Sequence, residues 1–445
     1  MLTTPLDGWI SDKIGAKSAR LDVETLRAHQ LERLNRTLSL VQSRSRFYRS
    51  LLGTEPLTLH TLDEVCSLPF TTAEDIRKAP FDLLCVRQDD VDRIVTLPTS
   101  GTTGPPKRIF FTAEDQELTR DFFHWGMSTL VDPGERVLIL MPGTLPGSIG
   151  ALLEQGLARM DVRGIQHGPV SDPAATLAVM ERERVTSLVG IPVQVLALAK
   201  TSRQPRFRDL KLDVRSVLLS TDCVPTSGLR IIETAWDCKV FNHYGTTEMG
   251  LGGGVDCRTR SGYHLREADM VFEVVDPDTG APVPDGDVGE VVFTTLTRQA
   301  MPLIRYRTGD AGRFLPDPCP CGTVLRRLEH IQGRLAGAVT LPGGAALTQR
   351  DFDEALLSID GVADFRVRIR QNAAQLLVEL AVRALEGSAE PRLEELMEAV
   401  HTIPALGGAG ERVQVEIHIA PTSSGEPTNP GTNKRQITLV EESVT

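Results

Sequence analysis

The chain has 445 residues, 41% apolar and 24% charged, with a net charge of −11 at neutral pH. Its length exceeds what one hydrophobic core supports, so two or more domains are expected. So acidic a balance in an ordinary globular composition excludes a general nucleic-acid binder, which needs a basic face.

Met1 to Arg20 holds no apolar core of signal-peptide length. The most apolar region, Val137 to Ala158, is broken by Pro142, Gly143, Pro146 and Gly147 and carries Glu154, so no membrane span is expected. Seven cysteines, an odd number in a long chain without a leader, read as reduced thiols of a cytoplasmic protein.

Leu21 to Leu51 reads as one helix, with Leu26, Leu31, Leu34, Leu38 and Leu40 at helical spacing among charged residues. Ile94-Val95 and Ile109-Phe110-Phe111 read as short strands. Between them lies Pro98-Thr99-Ser100-Gly101-Thr102-Thr103-Gly104-Pro105-Pro106-Lys107. Glycines let a backbone approach an anion, Ser100, Thr102 and Thr103 add hydroxyl donors, and Lys107 supplies the charge a polyphosphate needs. A strand–loop–strand setting separates this segment from the Walker A loop, which opens a helix. Taken alone it is equally a polar turn.

Strand and helix signals then alternate. Arg136 to Leu140 is a buried-type strand, Ser187 to Pro192 leads into an apolar helix from Val193 to Ala199, and Val214 to Ser220 is another apolar run. This alternation predicts a parallel sheet with crossover helices, and ligand groups at the carboxyl ends of its strands, where Ser220-Thr221-Asp222 and Asn242-His243-Tyr244 fall. Phe272 to Val275 and Glu290 to Phe293 flank the turn signal Pro284-Asp285-Gly286-Asp287 as an antiparallel hairpin. After Arg334 the pattern is that of a small α+β unit. It comprises a helix over Leu347–Ile359 capped by Thr348, strands around Phe365–Ile369 and Val413–Ile419, and a helix carrying Leu393, Leu396, Met397 and Val400.

Three further segments complete a pattern with the first loop: Asn242-His243-Tyr244-Gly245-Thr246-Thr247-Glu248, Arg305-Tyr306-Arg307-Thr308-Gly309-Asp310 and Gly333-Arg334. In this order and at these separations they resemble the AMP-forming acyl-CoA synthetase superfamily. Pro69-Phe70-Thr71-Thr72 with Asp75, and Phe293 to Leu296 followed by Met301 to Arg307, resemble the phenylacetate-CoA ligase family in particular.

The resemblance implies an α/β fold, with a large N-terminal ATP- and acid-binding domain over residues 1–333 and a small mobile α+β lid over residues 334–445. It implies that a carboxylic acid (aryl or arylalkyl) reacts with ATP to give an acyl-adenylate and pyrophosphate, and that the acyl group passes to the thiol of CoA. Partners are then the acid, ATP and CoA, with no nucleic acid and no membrane, and a homodimer is allowed. Ser100, Gly101, Thr102, Thr103, Gly104 and Lys107 are implied to hold the phosphates. In the second motif Tyr244 faces the adenine, Thr247 meets the α-phosphate and Glu248 holds Mg²⁺, with Asn242, His243, Gly245 and Thr246 around the nucleotide. Mg²⁺ suits this position, since it takes oxygen ligands from one or two carboxylates and phosphate. Asp310 is implied to accept from the ribose hydroxyls, Arg334 to reach ribose or phosphate near the hinge, and Asp222 to sit beside the adenine. Trp125 and His243 point to an aromatic ring in the acid.

The tail departs from the family. Relatives follow Gly-Arg with Ser-Asp-Asp, where this chain has Leu335-Ala336-Gly337. An ungapped match puts Thr432 where relatives carry a catalytic lysine, with Lys434 two residues on. Either Lys434 substitutes from a shifted register or the enzyme is a slow or specialised member. Two rivals therefore stand beside a CoA ligase: an adenylating enzyme with a non-CoA acceptor, and a silent nucleotide-binding relative.

The cysteines carry a separate signal. Cys257, His264, Cys319 and Cys321 match a structural Zn²⁺ site in ligand type, although Cys-x-Cys is tighter than the usual Cys-x₂-Cys. Similar positions in relatives favour zinc over a set of ordinary thiols beside a turn. Cys66, Cys85, Cys223 and Cys238 read as core thiols.

Overall fold

The computed structural model describes residues 3–16, 21–97, 106–223, 225–341, 344–371, 376–407, 413–420 and 435–441. Ser100 to Gly104 of the hydroxyl-rich loop, and Lys434, lie outside the described residues. The chain forms two units, each drawn from three stretches. Met1–Pro133, Leu145–Val162 and Phe241–Ile331 make the first; Gly134–Thr144, Arg163–Val240 and Gln332–Thr445 make the second.

The first unit begins with α1 (Pro5–Ile14), α2 (Val23–Arg44), α3 (Arg46–Leu52) and α4 (Ala73–Lys78). The single helix expected over 21–51 is thus two. Ser45 adopts an extended backbone, and its hydroxyl accepts from the backbone N–H of Tyr48 at 3.2 Å, ending α2 and capping α3. β1 (Arg93–Leu97) and β2 (Lys107–Phe111) follow as an antiparallel pair with Val95 opposite Ile109, so the phosphate-type loop does join two strands. α5 (Ala113–Met127) starts at a capping box of Thr112 and Asp115.

The chain then enters the second unit for β3 (Arg136–Ile139) and returns to the first for α6 (Ile149–Ala158). It goes back for β4 (Arg163–Gln166), α7 (Pro173–Arg182), β5 (Ser187–Gly190), α8 (Pro192–Ser202), β6 (Ser216–Leu219) and α9 (Thr226–Trp236). These four strands are parallel in the order β6-β5-β3-β4, as the alternating pattern predicts. Val137, Leu138, Leu188, Val189, Val217 and Leu218 are buried, as expected of strands covered on both faces.

β7 (Lys239–Tyr244) starts in the second unit and ends in the first. There it pairs with β8 (Gly254–Asp256), which pairs with β9 (Tyr263–Leu265), all antiparallel. β10 (Met270–Val275) and β11 (Gly289–Thr295) form the expected hairpin with Phe272 opposite Phe293, and β12 (Tyr306–Gly312) extends it. β13 (Arg327–Leu328) returns to β9.

The second unit ends with β14 (Gly333–Arg334), β15 (Val339–Thr340), β16 (Ala346–Leu347), α10 (Gln349–Leu356), β17 (Val362–Gln371), β18 (Leu376–Ala384), α11 (Leu393–His401), β19 (Val413–Ala420) and β20 (Thr438–Glu441). Thr348 caps α10 as expected, and a sheet in the order β19-β18-β17-β20 forms the α+β portion. The α/β class is borne out. Among the described residues no helix is long and apolar enough to cross a membrane. Two cysteines depart from the core reading: Cys66 is exposed at the end of a single 3₁₀ turn, and Cys223 is only half-buried, while Cys85 and Cys238 are interior.

Candidate functional site

β7 delivers the second motif into a tight turn of the first unit. Thr246 O accepts from Met249 N at 3.2 Å and from Leu251 N at 2.9 Å, and Thr247 O accepts from Gly250 N at 3.0 Å. A Cβ on Gly245 would stand 2.5 Å from the carbonyl oxygen of Leu251, so only glycine closes this loop. The turn buries Glu248, which is 4% exposed. Lys107, at the start of β2, donates to its Oε1, and the Tyr306 hydroxyl donates to the same oxygen at 3.0 Å. Lys107 Nζ also lies 3.4 Å from the Tyr306 hydroxyl. Burial alone would raise the Glu248 pKa. The Lys107 charge and the hydrogen bonds outweigh it and hold the carboxyl below its ordinary range. Sequence reading gave Tyr306 no role, although it stands inside a quoted motif.

Asp310, on β12, is fully buried and accepts from the Tyr244 hydroxyl at 3.0 Å. Burial and the Asp310 charge together push the Tyr244 phenol well above its ordinary pKa. The Tyr244 ring stacks on Tyr263 with centroids 5.7 Å apart, and Tyr263 meets His330 edge-on at 4.9 Å. His330 Nε2 is 2.7 Å from Asp256 Oδ1, and the other oxygen of Asp256 accepts from the backbone N–H and side-chain amide of Asn242. Asp256 and His330 had no signal in the sequence. They are single residues on separate segments that only the antiparallel pairing of β7, β8 and β9 brings near one another.

His243 lies against the rings of Phe122 and Phe123 at 6.1 and 6.2 Å. Desolvation lowers its pKa from 6.5 to about 4. The neutral ring is therefore the form the fold accepts. Stability from this residue is complete above pH 6.5 and is lost as the pH falls through 4, because the unfolded chain takes up the proton first. Acid titration of unfolding should show a shallower loss between pH 6.5 and 4 in His243→Asn than in the parent; identical curves would contradict this.

The arginines of the third motif are structural. Arg305 has φ +44°, and its guanidinium donates to both oxygens of Glu273 at 3.1 and 2.9 Å and to the carbonyls of Cys66 and Leu68. It also covers the Phe70 ring at 4.0 Å. Thr71 bonds the backbone on both sides of Tyr306, through Arg305 O and Arg307 N. The Pro69–Thr72 and Met301–Arg307 signatures are thus two halves of one clamp, which fixes the start of β12 and with it Tyr306 and Asp310.

Asp222 and Arg334 belong to the second unit. Asp222 follows β6, and burial raises its pKa to about 6. Its Oδ2 accepts from the backbone N–H of Arg435 at 3.4 Å. The Arg435 guanidinium pairs with Asp353 at 2.6 Å and Asp364 at 3.1 Å and covers the Phe365 ring. Arg334 is exposed on β14.

Cys257, His264, Cys319 and Cys321 are all buried, and their ligand atoms lie within 4.8 Å of one another. A zinc tetrahedron with bonds of about 2.3 Å to sulfur and about 2.0 Å to nitrogen has edges of about 3.8 and 3.5 Å. The observed Cys257 Sγ to Cys319 Sγ distance is 3.7 Å, and Cys321 Sγ to His264 Nε2 is 3.4 Å. His264 Nδ1 lies 3.3 Å from the carbonyl oxygen of Arg326, a partner that leaves Nε2 facing the thiols. The donor set fits the ion.

A family model for AMP-binding enzymes matches residues 38–297. The chain belongs to this family. It is 31% identical to a phenylacetate-coenzyme A ligase of Thermus thermophilus over 403 residues, which span 86% of this chain and 88% of the relative. A phenylacetate-coenzyme A ligase of Pseudomonas putida is 28% identical over 81% of this chain and 82% of the relative. The fold matches a solved 2-hydroxyisobutyryl-CoA ligase in complex with an acyl-adenylate, with TM-score 0.75 at 21% identity, over 93% of this chain and 89% of that one. This AMP-binding enzyme groups with the phenylacetate-CoA ligases, and the resemblance seen in its motifs is borne out.

Proposed function

We propose that this chain activates an aryl or arylalkyl carboxylic acid with ATP, releasing pyrophosphate, and then transfers the acyl group from the adenylate to the thiol of CoA with release of AMP. One observation carries the reading: Lys107 and Tyr306 converge on one oxygen of the buried Glu248 carboxylate, in a chain that groups with CoA ligases. In-line attack of a carboxylate on the α-phosphate brings two anions together, so the site must hold them and neutralise charge on phosphorus.

The described residues supply much of this. Glu248 would hold Mg²⁺ with phosphate oxygens, and the ion supplies charge neutralisation when bound. Lys107 can turn from Glu248 to the β- and γ-phosphates, the groups that Ser100, Gly101, Thr102, Thr103 and Gly104 would also hold. Thr247 meets the α-phosphate, Tyr244 the adenine and Asp310 the ribose, with Asp222 beside the base and Arg334 at the hinge. Residues 334–445 form the lid, and Lys434, the sole lysine after Lys239, is the one side chain there able to bring an ammonium to the reacting phosphate and carboxylate. The rings of Phe122 and Phe123 around His243 support an aromatic acid. Cys257, His264, Cys319 and Cys321 would hold a structural zinc, and the reduced thiols support a cytoplasmic enzyme.

Pyrophosphate release measured over aryl, arylalkyl and fatty acids, with and without CoA, tests the reading. Release with aryl or arylalkyl acids, and acyl-CoA formed only when CoA is present, is the expected result. An adenylate that accumulates with CoA present and is consumed by an amine would replace CoA as the acceptor.

A further inference from the structure

Within the second unit, the C-terminal α+β portion touches α8 and α9 through polar groups. Lys200, near the end of α8, is 4% exposed, and among the described residues its bonds go to backbone carbonyls. Its ammonium donates to the carbonyl oxygens of Ile359 at 2.6 Å and Val362 at 2.8 Å, where the chain leaves α10 for β17. Desolvation pushes its pKa down to about 8, with nearby Asp360 opposing and Arg203 reinforcing the fall. Four residues on, Gln204 donates to the carbonyl of Glu386 at 2.7 Å and to the Ser388 hydroxyl at 3.0 Å.

A second point of contact lies at the start of α9. Helix N-termini leave N–H groups unpaired, and a side-chain cap normally takes one or two of them. Here Pro225 stands at the cap position and offers none. Glu354 of α10 takes the role from outside: Thr226 N donates to Oε1 at 2.6 Å, and Ser227 N to Oε2 at 3.2 Å. A carboxylate at a helix N-terminus also meets the positive end of the helix dipole. Beside these bonds Ala197 is buried with Ala363 and Leu385, and Leu357 shares a small cavity with Leu196 and Ile232. Charge-to-carbonyl and carboxylate-to-cap bonds can be exchanged for bonds to water, so they select a position without making it permanent.

We propose that Lys200 and Glu354 form a reversible latch seating residues 347–388 on α8 and α9, and that this latch sets how the enzyme divides its time between adenylation and thioester formation. Both are positioning residues. The inference rests on the two-step ligase reading, and its test includes a measurement independent of turnover.

Lys200→Met keeps volume and removes both donated bonds. In hydrogen exchange on the full chain without substrates, the amides of Thr226 and Ser227 should exchange about tenfold faster in this variant, although Lys200 does not touch them. The two half-reactions, pyrophosphate release and CoA transfer from supplied acyl-adenylate, should shift by factors that differ about tenfold from each other. Lys200→Arg should recover most of both effects, and Glu354→Ala should reproduce the direction of the kinetic shift. Equal scaling of the two half-reactions, or unchanged exchange at Thr226 and Ser227, would overturn the latch. If Lys200→Met does not fold, Glu354→Ala on the half-buried α10 side carries the same kinetic expectation. A parent enzyme lacking either half-reaction overturns the ligase reading instead, and the exchange result still decides whether the two contacts act together.

Discussion

Glu248→Gln is expected to lower ATP-dependent pyrophosphate release about a hundredfold, because a charge-assisted contact made in the transition state is worth on the order of 3 kcal/mol. The glutamine fills the same space and can still accept from Tyr306, so the loss isolates the charge. Lys107→Met should cost turnover to a similar extent and should also destabilise the ligand-free protein. Its removal takes from Glu248, whose side chain is 5% exposed, the counter-charge that is hydrogen-bonded to it, whereas Lys107 is 17% exposed and can turn to water when Glu248 is neutral. Thermal unfolding without ligands would therefore separate the two variants. Wild-type turnover of Glu248→Gln at limiting Mg²⁺ would remove the metal from this carboxylate.

The second large effect concerns the thiol cluster. Protein purified without a chelating column should carry about one equivalent of zinc, as one Cys₃His set requires. Stripping the ion, or Cys319→Ser, should lower the unfolding temperature by on the order of 10 °C, because a structural metal binds the folded state and not the unfolded one. The physical reason lies in the connections: Cys257 follows β8, His264 sits on β9 and Cys319 and Cys321 precede β13, so the ion would tie three segments that otherwise share short strand pairings. Metal-free protein of undiminished stability would sink the assignment.

Much of this arrangement could be read from the sequence, for identifiable reasons. β3, β5, β6 and the β10–β11 hairpin are apolar runs closed by turn residues, and such patterns report burial directly. The zinc-type ligands were legible because Cys and His are rare and chemically specific. Less visible was the break at Ser45: leucines stand on both sides of it, along α2 and at Leu51 and Leu52 of α3, and a hydroxyl cap inside a charged stretch looks like one more surface residue. No helix was expected at α5, although Thr112 and Asp115 spell its capping box. Tyr306 on Glu248, Arg305 on Glu273 and Glu354 on the start of α9 are bonds between distant segments. Periodicity states which face a residue occupies and never which partner waits there. The same limit hid Arg435, which follows Lys434 in the chain and stands among three carboxylates.

Arg435 has one more consequence, for the birth of the molecule. Its guanidinium bonds Asp353, 82 residues earlier, and its amide bonds Asp222, 213 residues earlier. Each unit, moreover, is assembled from three separated stretches of chain. A ribosome emits the chain from one end, so the parallel strands β3 to β6 emerge long before the residues that neutralise Asp222 and cap α9. During that interval Lys200 lacks its carbonyl acceptors and the first turn of α9 its carboxylate. Contacts of such long sequence separation form slowly, and chains waiting for them expose apolar surface. Nascent chains halted before residue 347 should therefore keep the start of α9 and the end of α8 open to protease, and completion of the tail would be the event that closes these two points.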